Sequence, residues 1–371
     1  MPKVLYDLNS SIAAFFSNSG TSATREQCDE FARRQFGGDI CPVSLQGVTS
    51  YTVTAGPSTI VQFREQSSSL NEAMMALAKA VHPDVVAGCV SHGLIGGSQS
   101  DSEGKGKANA LAVYSMDRLP GENYIFVRWS LAESLTLQLA TVESLARFVI
   151  NTVYFFIFKP ANITPKNRFF AQSWLNGRTT DPNQISTTIT NCTKLFHHLS
   201  ETLPSRFKPS ISKLPDLLPL LRSGDHPVVL THGDLNEMNI LADPLTGKIT
   251  GVVDWAEASF QPFGFALYSL DNCLGNMGPD GWEYFDNADQ LRKGFWDTFE
   301  KLVGRLSESV MESIRLARVA GLFIRYGIAY EERSGGMVGN RDESYLDALL
   351  LGKGTGQPGT DRGSGGLSVA E

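Results

Sequence analysis

The chain has 371 residues, 42% of them hydrophobic and 19% charged, which provides for a large core and, by length, for two domains or lobes. A net charge of −7 argues against a general nucleic-acid binder, which clusters Lys and Arg, and leaves cationic or metal-bound ligands open. Five scattered cysteines without a C-x-x-C pair, and six histidines without ligand spacing, argue against a disulfide framework and a zinc site.

The N-terminal stretch "MPKVLYDLNSSIAAFF" contains an acidic residue and no long apolar centre, so it does not read as a secretory leader. Residues 22–36 read as an amphipathic helix stopped by Gly37-Gly38, within an N-terminal helical extension over 1–40. Three β-like runs follow at 41–47, 50–54 and 59–64, with "AGPS" at 55–58 as a hairpin turn. "SSLNEAMMALAKAV", residues 68–81, reads as a helix closed by His82-Pro83, and further strands are expected at 85–92 and 109–115. The polar stretch "GGSQSDSEGKGKAN" between those strands reads as an exposed loop. "MDRLPGENY", residues 116–124, breaks the pattern and reads as a connector, or hinge.

Helical periodicity dominates the rest, at roughly 133–158, 184–201, 211–222, 287–303 and 307–332. The most apolar run, "FVINTVYFFIF" over 148–158, is shorter than the roughly 20 residues a bilayer span needs, and Arg147 and Lys159 bracket it. A buried helix is the expectation. The glycine-rich end, 352–371, reads as a disordered tail, and Gly rather than Ser or Thr after Lys353 excludes a phosphate loop there. The order is an N-lobe over 41–115, the hinge, and a mainly helical C-lobe over 125–351. A cytoplasmic protein without nucleic-acid or membrane partners is expected, and its oligomeric state stays open.

The helical half is interrupted by "VVLTHGDLNEMNIL" at 228–241, where a β-rich run gives way to His, Gly, Asp and two Asn before apolar residues return. A second β-like run at 248–253 leads into Asp254, and a turn at "DPLTGK" is expected to bring Asp254 beside Asp234 and Asn239. Two carboxylates and an amide are the parts phosphoryl transfer needs. A carboxylate orients the attacking hydroxyl and accepts its proton, while an amide oxygen and a second carboxylate hold Mg²⁺ against ATP phosphates. The bland alternative is a turn rich in residues that tolerate αL and Asx geometry.

"HGDLNEMNIL…GVVDWAEA" resembles the catalytic segment of the aminoglycoside phosphotransferase and choline kinase group, closest in wording to fungal phosphotransferase-like members. The resemblance runs over about 45–330 and implies an α+β fold of the bilobal protein-kinase-like kind. A small antiparallel-sheet N-lobe with one main helix would precede a larger, mainly helical C-lobe. It further implies Asp234 as the catalytic residue, Asn239 and Asp254 as metal-binding residues, and ATP and Mg²⁺ as cofactors. His232 would brace the loop. In the N-lobe it implies Arg64 in "IVQFRE" as the phosphate-holding residue, paired with Glu72, although Ser69-x-x-Glu72 also reads as a helix capping box. Ser50, near Gly47, the single glycine of "LQGVTSYTV", would be a phosphate contact, and Met116 with Leu119 would pack on adenine or simply join the core.

The implied activity is transfer of the γ-phosphate to a hydroxyl of a small molecule. A non-catalytic nucleotide- or metabolite-binding relative, or different chemistry on the same fold, are the alternatives. Residues 261–332 hold eleven Asp/Glu against seven Lys/Arg, together with Trp282, Tyr284, Phe285, Phe295, Trp296 and Phe299. That mixture suits a cationic or amine-bearing acceptor, and it equally suits solvated charges over an aromatic core.

Overall fold

In the computed structural model the described residues are 6–97, 109–157, 182–278, 281–328 and 343–352. They fall into two units, one made of Met1–Glu122 with Thr250–Glu257, the other of Asn123–Ile249 with Ala258–Glu371.

The first unit opens with helices α1 (Leu8–Asn18) and α2 (Arg25–Phe36). Both start at side-chain caps: Asp7 accepts from the Ser10 amide, and Thr24 forms a capping box with Gln27. Strands β1 (Ile40–Pro42), β2 (Ser50–Ala55), β3 (Thr59–Glu65), β4 (Cys89–Gly96) and β5 (Ala110–Asp117) make one antiparallel sheet, in the order β1-β2-β3-β5-β4. The β2–β3 register sets Val53 opposite Val61 and Ser50 opposite Arg64. Ile12, Phe15, Cys28 and Ala32 of the two helices bury themselves with Tyr51, Val53, Val61 and Phe63 of the sheet. Tyr51 is fixed at its polar end, donating to Asp29 at 2.7 Å and accepting from Arg25 at 3.3 Å.

Helix α3 (Glu72–Val81) is not capped as a Ser69–Glu72 box would have it. Asn71 is the N-cap and accepts from the Met74 amide, whereas the Ser69 hydroxyl donates to the Gln66 carbonyl and closes a preceding turn. Two other boundaries move. The stretch 82–88 forms a turn anchored by the His82 carbonyl, so β4 begins at Cys89; β5 continues through Met116 to Asp117.

The second unit begins with α4 (Tyr124–Ala132), a helix the periodicity does not single out, followed by α5 (Leu135–Ile157), which occupies the helix expected at 133–158. In the apolar run at 148–158, Phe148 and Val149 are buried. The remaining side chains of that run, most of the 96–109 loop and all but Gly352 of the 352–371 tail lie outside the described residues. The helix Pro182–Thr202 is followed by a short helix, Lys208–Ile211, and a 3-10 turn, Leu214–Asp216, with Pro215 in its first turn, where a missing amide donor is tolerated, before the helix Leu217–Ser223. Strand Val228–Thr231 pairs antiparallel with Ser259–Pro262. Helices Tyr268–Leu274, Ala288–Val303, Glu308–Gly327 and Glu343–Leu351 complete the unit, with a hairpin of Gly275–Gly278 and Gly281–Tyr284. One core joins Phe196, Leu199, Leu217, Val228, Phe265, Tyr268, Phe323 and Leu346.

His226 enters this core just before the strand. Its Nε2–H donates to the Phe263 carbonyl at 2.8 Å, and Nδ1 faces the Ser313 hydroxyl at 3.0 Å. Burial pushes its pKa down to about 4 from an ordinary 6.5. The unfolded chain therefore takes up a proton below pH 6.5 that the folded chain refuses until about pH 4. Stability should fall as pH drops through that window, by about 1.4 kcal/mol per unit from this residue. Denaturant titrations of wild type and His226→Gln across the window are expected to show the steeper slope in wild type. Equal slopes would mean that His226 is not buried neutral.

Candidate functional site

The loop 232–239 hangs between the strands Val228–Thr231 and Ile240–Ala242, both largely buried, so its backbone is held at each end. Gly233 has a φ of 81°, in the left-handed region glycine enters without strain. The Asp234 amide donates to Nδ1 of buried His232 at 3.2 Å, the bracing role expected of that histidine. Asn236 accepts from the Met238 amide at 2.8 Å. Asn239 donates its amide nitrogen to the Asp234 carbonyl at 2.8 Å and to Asp234 Oδ2 at 3.1 Å. Asp234 and Asn239 are thus in direct contact, and these bonds leave the Asn239 Oδ1 as its acceptor.

Two further residues hold the loop that sequence reasoning did not pick out. Buried Tyr268 clamps it on both sides of Asp234: the phenol accepts from the Leu235 amide at 2.9 Å and donates to the Gly233 carbonyl at 3.3 Å. Arg325, in the last turn of Glu308–Gly327, lies 2.8 Å from Asp234 Oδ1 as an ion pair, with both side chains mostly buried. Gly233, Gln261, Phe265, Tyr268, Gly321 and Arg325 line a small pocket beside this loop. Asp243 then organises the expected turn: its carboxylate accepts from the Leu245 amide at 2.9 Å and the Thr246 hydroxyl at 2.8 Å, and its amide donates to the Lys248 carbonyl. The bond from Leu245, then that from Thr246, holds the Asp243 carboxyl below its ordinary pKa.

The first unit carries the other half of the candidate residues. Strand Ile249–Val252 leads to Asp254, and the Val252 amide donates to the Val85 carbonyl at 2.7 Å. Asp254 has a φ of 60°, the one non-glycine residue in the left-handed region among the described residues. Such backbone strain costs on the order of 1–3 kcal/mol and gathers at functional positions. Arg64 Nη1 donates to Asp254 Oδ1 at 3.2 Å and to Gln62 Oε1 at 3.1 Å, while Nε donates to the Ser68 carbonyl at 2.9 Å.

This corrects the expected Arg64–Glu72 pair. Among the described residues no ion pair joins the two; Glu72 is exposed at the start of α3, and Asp254 is the carboxylate Arg64 takes. The Cys89 thiol is pushed up to about 11, by burial first and the Glu72 charge second, with Arg64 opposing. Ser50 is buried and accepts from Gln62 Nε2 at 3.3 Å, within the same side-chain layer as Arg64. Met116 is half-buried inside β5, opposite Ile60 and Cys89, rather than in the connector.

Half of the six aromatics expected near the acceptor belong to the core: Trp282, Phe295 and Phe299 are buried, and Tyr284 is the most exposed of the set, at 39%. All five cysteines are free. Among the described residues no His/Cys/Asp/Glu cluster could hold a metal by itself, and no helix is long and apolar enough to cross a membrane. The Asp254 carboxylate and the Asn239 amide oxygen are each hard oxygen donors of the kind Mg²⁺ takes, and that ion needs few protein ligands.

The family model described as phosphotransferase enzyme family (APH) matches residues 54–270, more than half the chain. No curated protein matches it. Among solved structures, the GDP complex of wild-type aminoglycoside 2′-phosphotransferase-IIIa is 14% identical, with a TM-score of 0.48 over 89% of this chain and 97% of that one. The gentamicin complex of APH(2″)-IIa is 11% identical, with a TM-score of 0.47 over 88% and 95%. APH(3″)-Id from Streptomyces rimosus is 14% identical, with a TM-score of 0.41 over 80% and 98%. These matches lend no support to the narrower likeness to fungal members.

Proposed function

The chain belongs to the phosphotransferase enzyme family, and from that premise we propose that it is an ATP- and Mg²⁺-dependent kinase of a small-molecule hydroxyl. The observation that carries the proposal is the way Asp234 is held. Asn239 and Arg325 fix its carboxylate, and His232 and Tyr268 fix the backbone on either side. A carboxylate so oriented is what proton acceptance from an attacking hydroxyl requires. Oδ1 is buried against Arg325, so Oδ2 takes the proton.

Asn239 through Oδ1 and Asp254 through its carboxylate are the residues proposed to hold Mg²⁺. When bound, that ion would supply positive charge to offset that of the phosphates. Arg64 binds the phosphate chain with a planar cation suited to it. Ser50, opposite Arg64 in the β2–β3 register, is a secondary contributor, and Met116 packs on adenine. The acid excess of 261–332, eleven against seven, supports a cationic or amine-bearing acceptor.

Incubation with ATP, Mg²⁺ and a metabolite extract, followed by a search for a phosphate mass shift, tests the activity and identifies the acceptor together. ATP with Mg²⁺ is also expected to raise the unfolding temperature, because a ligand bound only by the folded state stabilises it. The part of the rise that depends on Mg²⁺ should be lost in Asp254→Ala. A rise that Mg²⁺ still enhances in that variant as it does in wild type would remove Asp254 from the metal-binding set.

A further inference from the structure

Arg64 is buried, with 4% of its side chain exposed, and its bonded partners are Gln62, the Ser68 carbonyl and Asp254. Two of these are neutral, and Asp254 is the counter-ion. Asp254 is 41% exposed and stands on a backbone of positive φ, so this carboxylate is not placed by burial in a core. A buried guanidinium without a counter-charge is costly, which makes the ion pair the natural state of the protein without nucleotide. Yet the two partners have opposite appetites. A phosphate chain calls for Arg64; a divalent cation calls for Asp254.

We infer that Arg64 and Asp254 are an exchange pair: they neutralise each other in the nucleotide-free protein and part only when a nucleoside triphosphate and a divalent cation arrive together. This rests on the nucleotide-binding reading above and goes beyond it. Triphosphate alone would draw Arg64 away and leave the Asp254 carboxylate facing more negative charge. The cation alone would take Asp254 and leave Arg64 buried without a counter-ion. Only the two ligands together replace one ion pair by two. Binding is therefore cooperative, and by linkage the cooperativity is reciprocal.

Calorimetric titration with ATP, in EDTA and in Mg²⁺, tests this in wild type, Asp254→Asn, Arg64→Gln and the double variant. Wild type should bind ATP at least about tenfold more weakly in EDTA than in Mg²⁺. Asp254→Asn frees Arg64, so it should bind metal-free ATP about fivefold or more tightly than wild type, and Mg²⁺ should no longer help it. In the Arg64→Gln background the same substitution should leave metal-free affinity unchanged. Arg64→Met, which keeps the apolar stem packed, replaces Arg64→Gln should the latter not fold. If Asp254→Asn tightens metal-free ATP equally with and without Arg64, the carboxylate merely repels phosphate and the exchange is wrong. If it does not tighten binding at all, the exchange is equally wrong. Failure of wild type to bind ATP in either buffer is a different result, which overturns the nucleotide reading itself.

Discussion

Asp234→Asn is expected to keep ATP affinity and lose turnover by about 10²–10⁴-fold, the usual worth of general-base assistance. The loss corresponds to about 3–5 kcal/mol of transition-state stabilisation. Asparagine has almost the shape of aspartate and tolerates the same turn, so a purely structural residue would survive the change. The contacts add a condition. Both carboxylate oxygens meet donors, Arg325 on Oδ1 and the Asn239 amide nitrogen on Oδ2. An amide at 234 must turn its NH₂ toward one of them, and such a mismatch costs about 1–3 kcal/mol. A modest fall in stability should therefore accompany the loss of turnover. The informative measurement is kcat alongside ATP affinity under conditions where the variant is folded. Near wild-type kcat would end the assignment of Asp234 as the base. Lost ATP affinity at intact stability would move Asp234 to the nucleotide side.

The loop around Asp234 was legible because its chemistry is local. His, Gly, Asp and Asn at fixed offsets on one turn lie together whatever the rest of the chain does, and the contacts among His232, Asp234 and Asn239 follow from spacing alone. Arg325 and Tyr268 were not legible. Each sits on a helix where an arginine or tyrosine is ordinary, and only tertiary packing turns it toward the loop. The Arg64–Glu72 expectation failed for the same reason in reverse. The resemblance named the partner, but the strained turn at Asp254 delivered a different carboxylate to Arg64.

Among the elements, strong periodicity gave the helices Pro182–Thr202 and Ala288–Val303 closely. The helix Leu8–Asn18 was not singled out, although Asp7 before its first turn is a recognisable cap. The strand Gly275–Gly278 carries almost no β propensity and pairs with Gly281–Tyr284 at buried Trp282, which the short run before it does not announce.

Gly321 is the position where packing and site meet most closely. It lies in the helix Glu308–Gly327, where alanine is ordinarily favoured over glycine by about 1 kcal/mol. A Cβ there would overlap the Phe265 carbonyl and come within 2.8 Å of the Phe265 Cα. The obstacle is backbone, which no rotamer change relieves. Overpacking of this kind typically costs about 1–3 kcal/mol and sometimes more, so the clash outweighs the propensity gain. Relief requires the helix and the segment at Phe265 to separate. Tyr268 follows Phe265 within one turn, and its hydroxyl carries the two bonds that bracket Asp234. Gly321→Ala should thus lower stability and turnover together, with kcat falling by more than the unfolded fraction explains.

Gly294→Ala is the control. There the obstacle is the Leu139 Cδ2 at 2.7 Å, the end of a flexible side chain that can rotate aside. That variant should be neutral or slightly stabilised, with unchanged turnover. Thermal unfolding and kcat measured on both variants decide the matter. Equal, mild behaviour of the two would show that the helix and the Phe265 segment are not packed closely enough to set the geometry of the Asp234 loop.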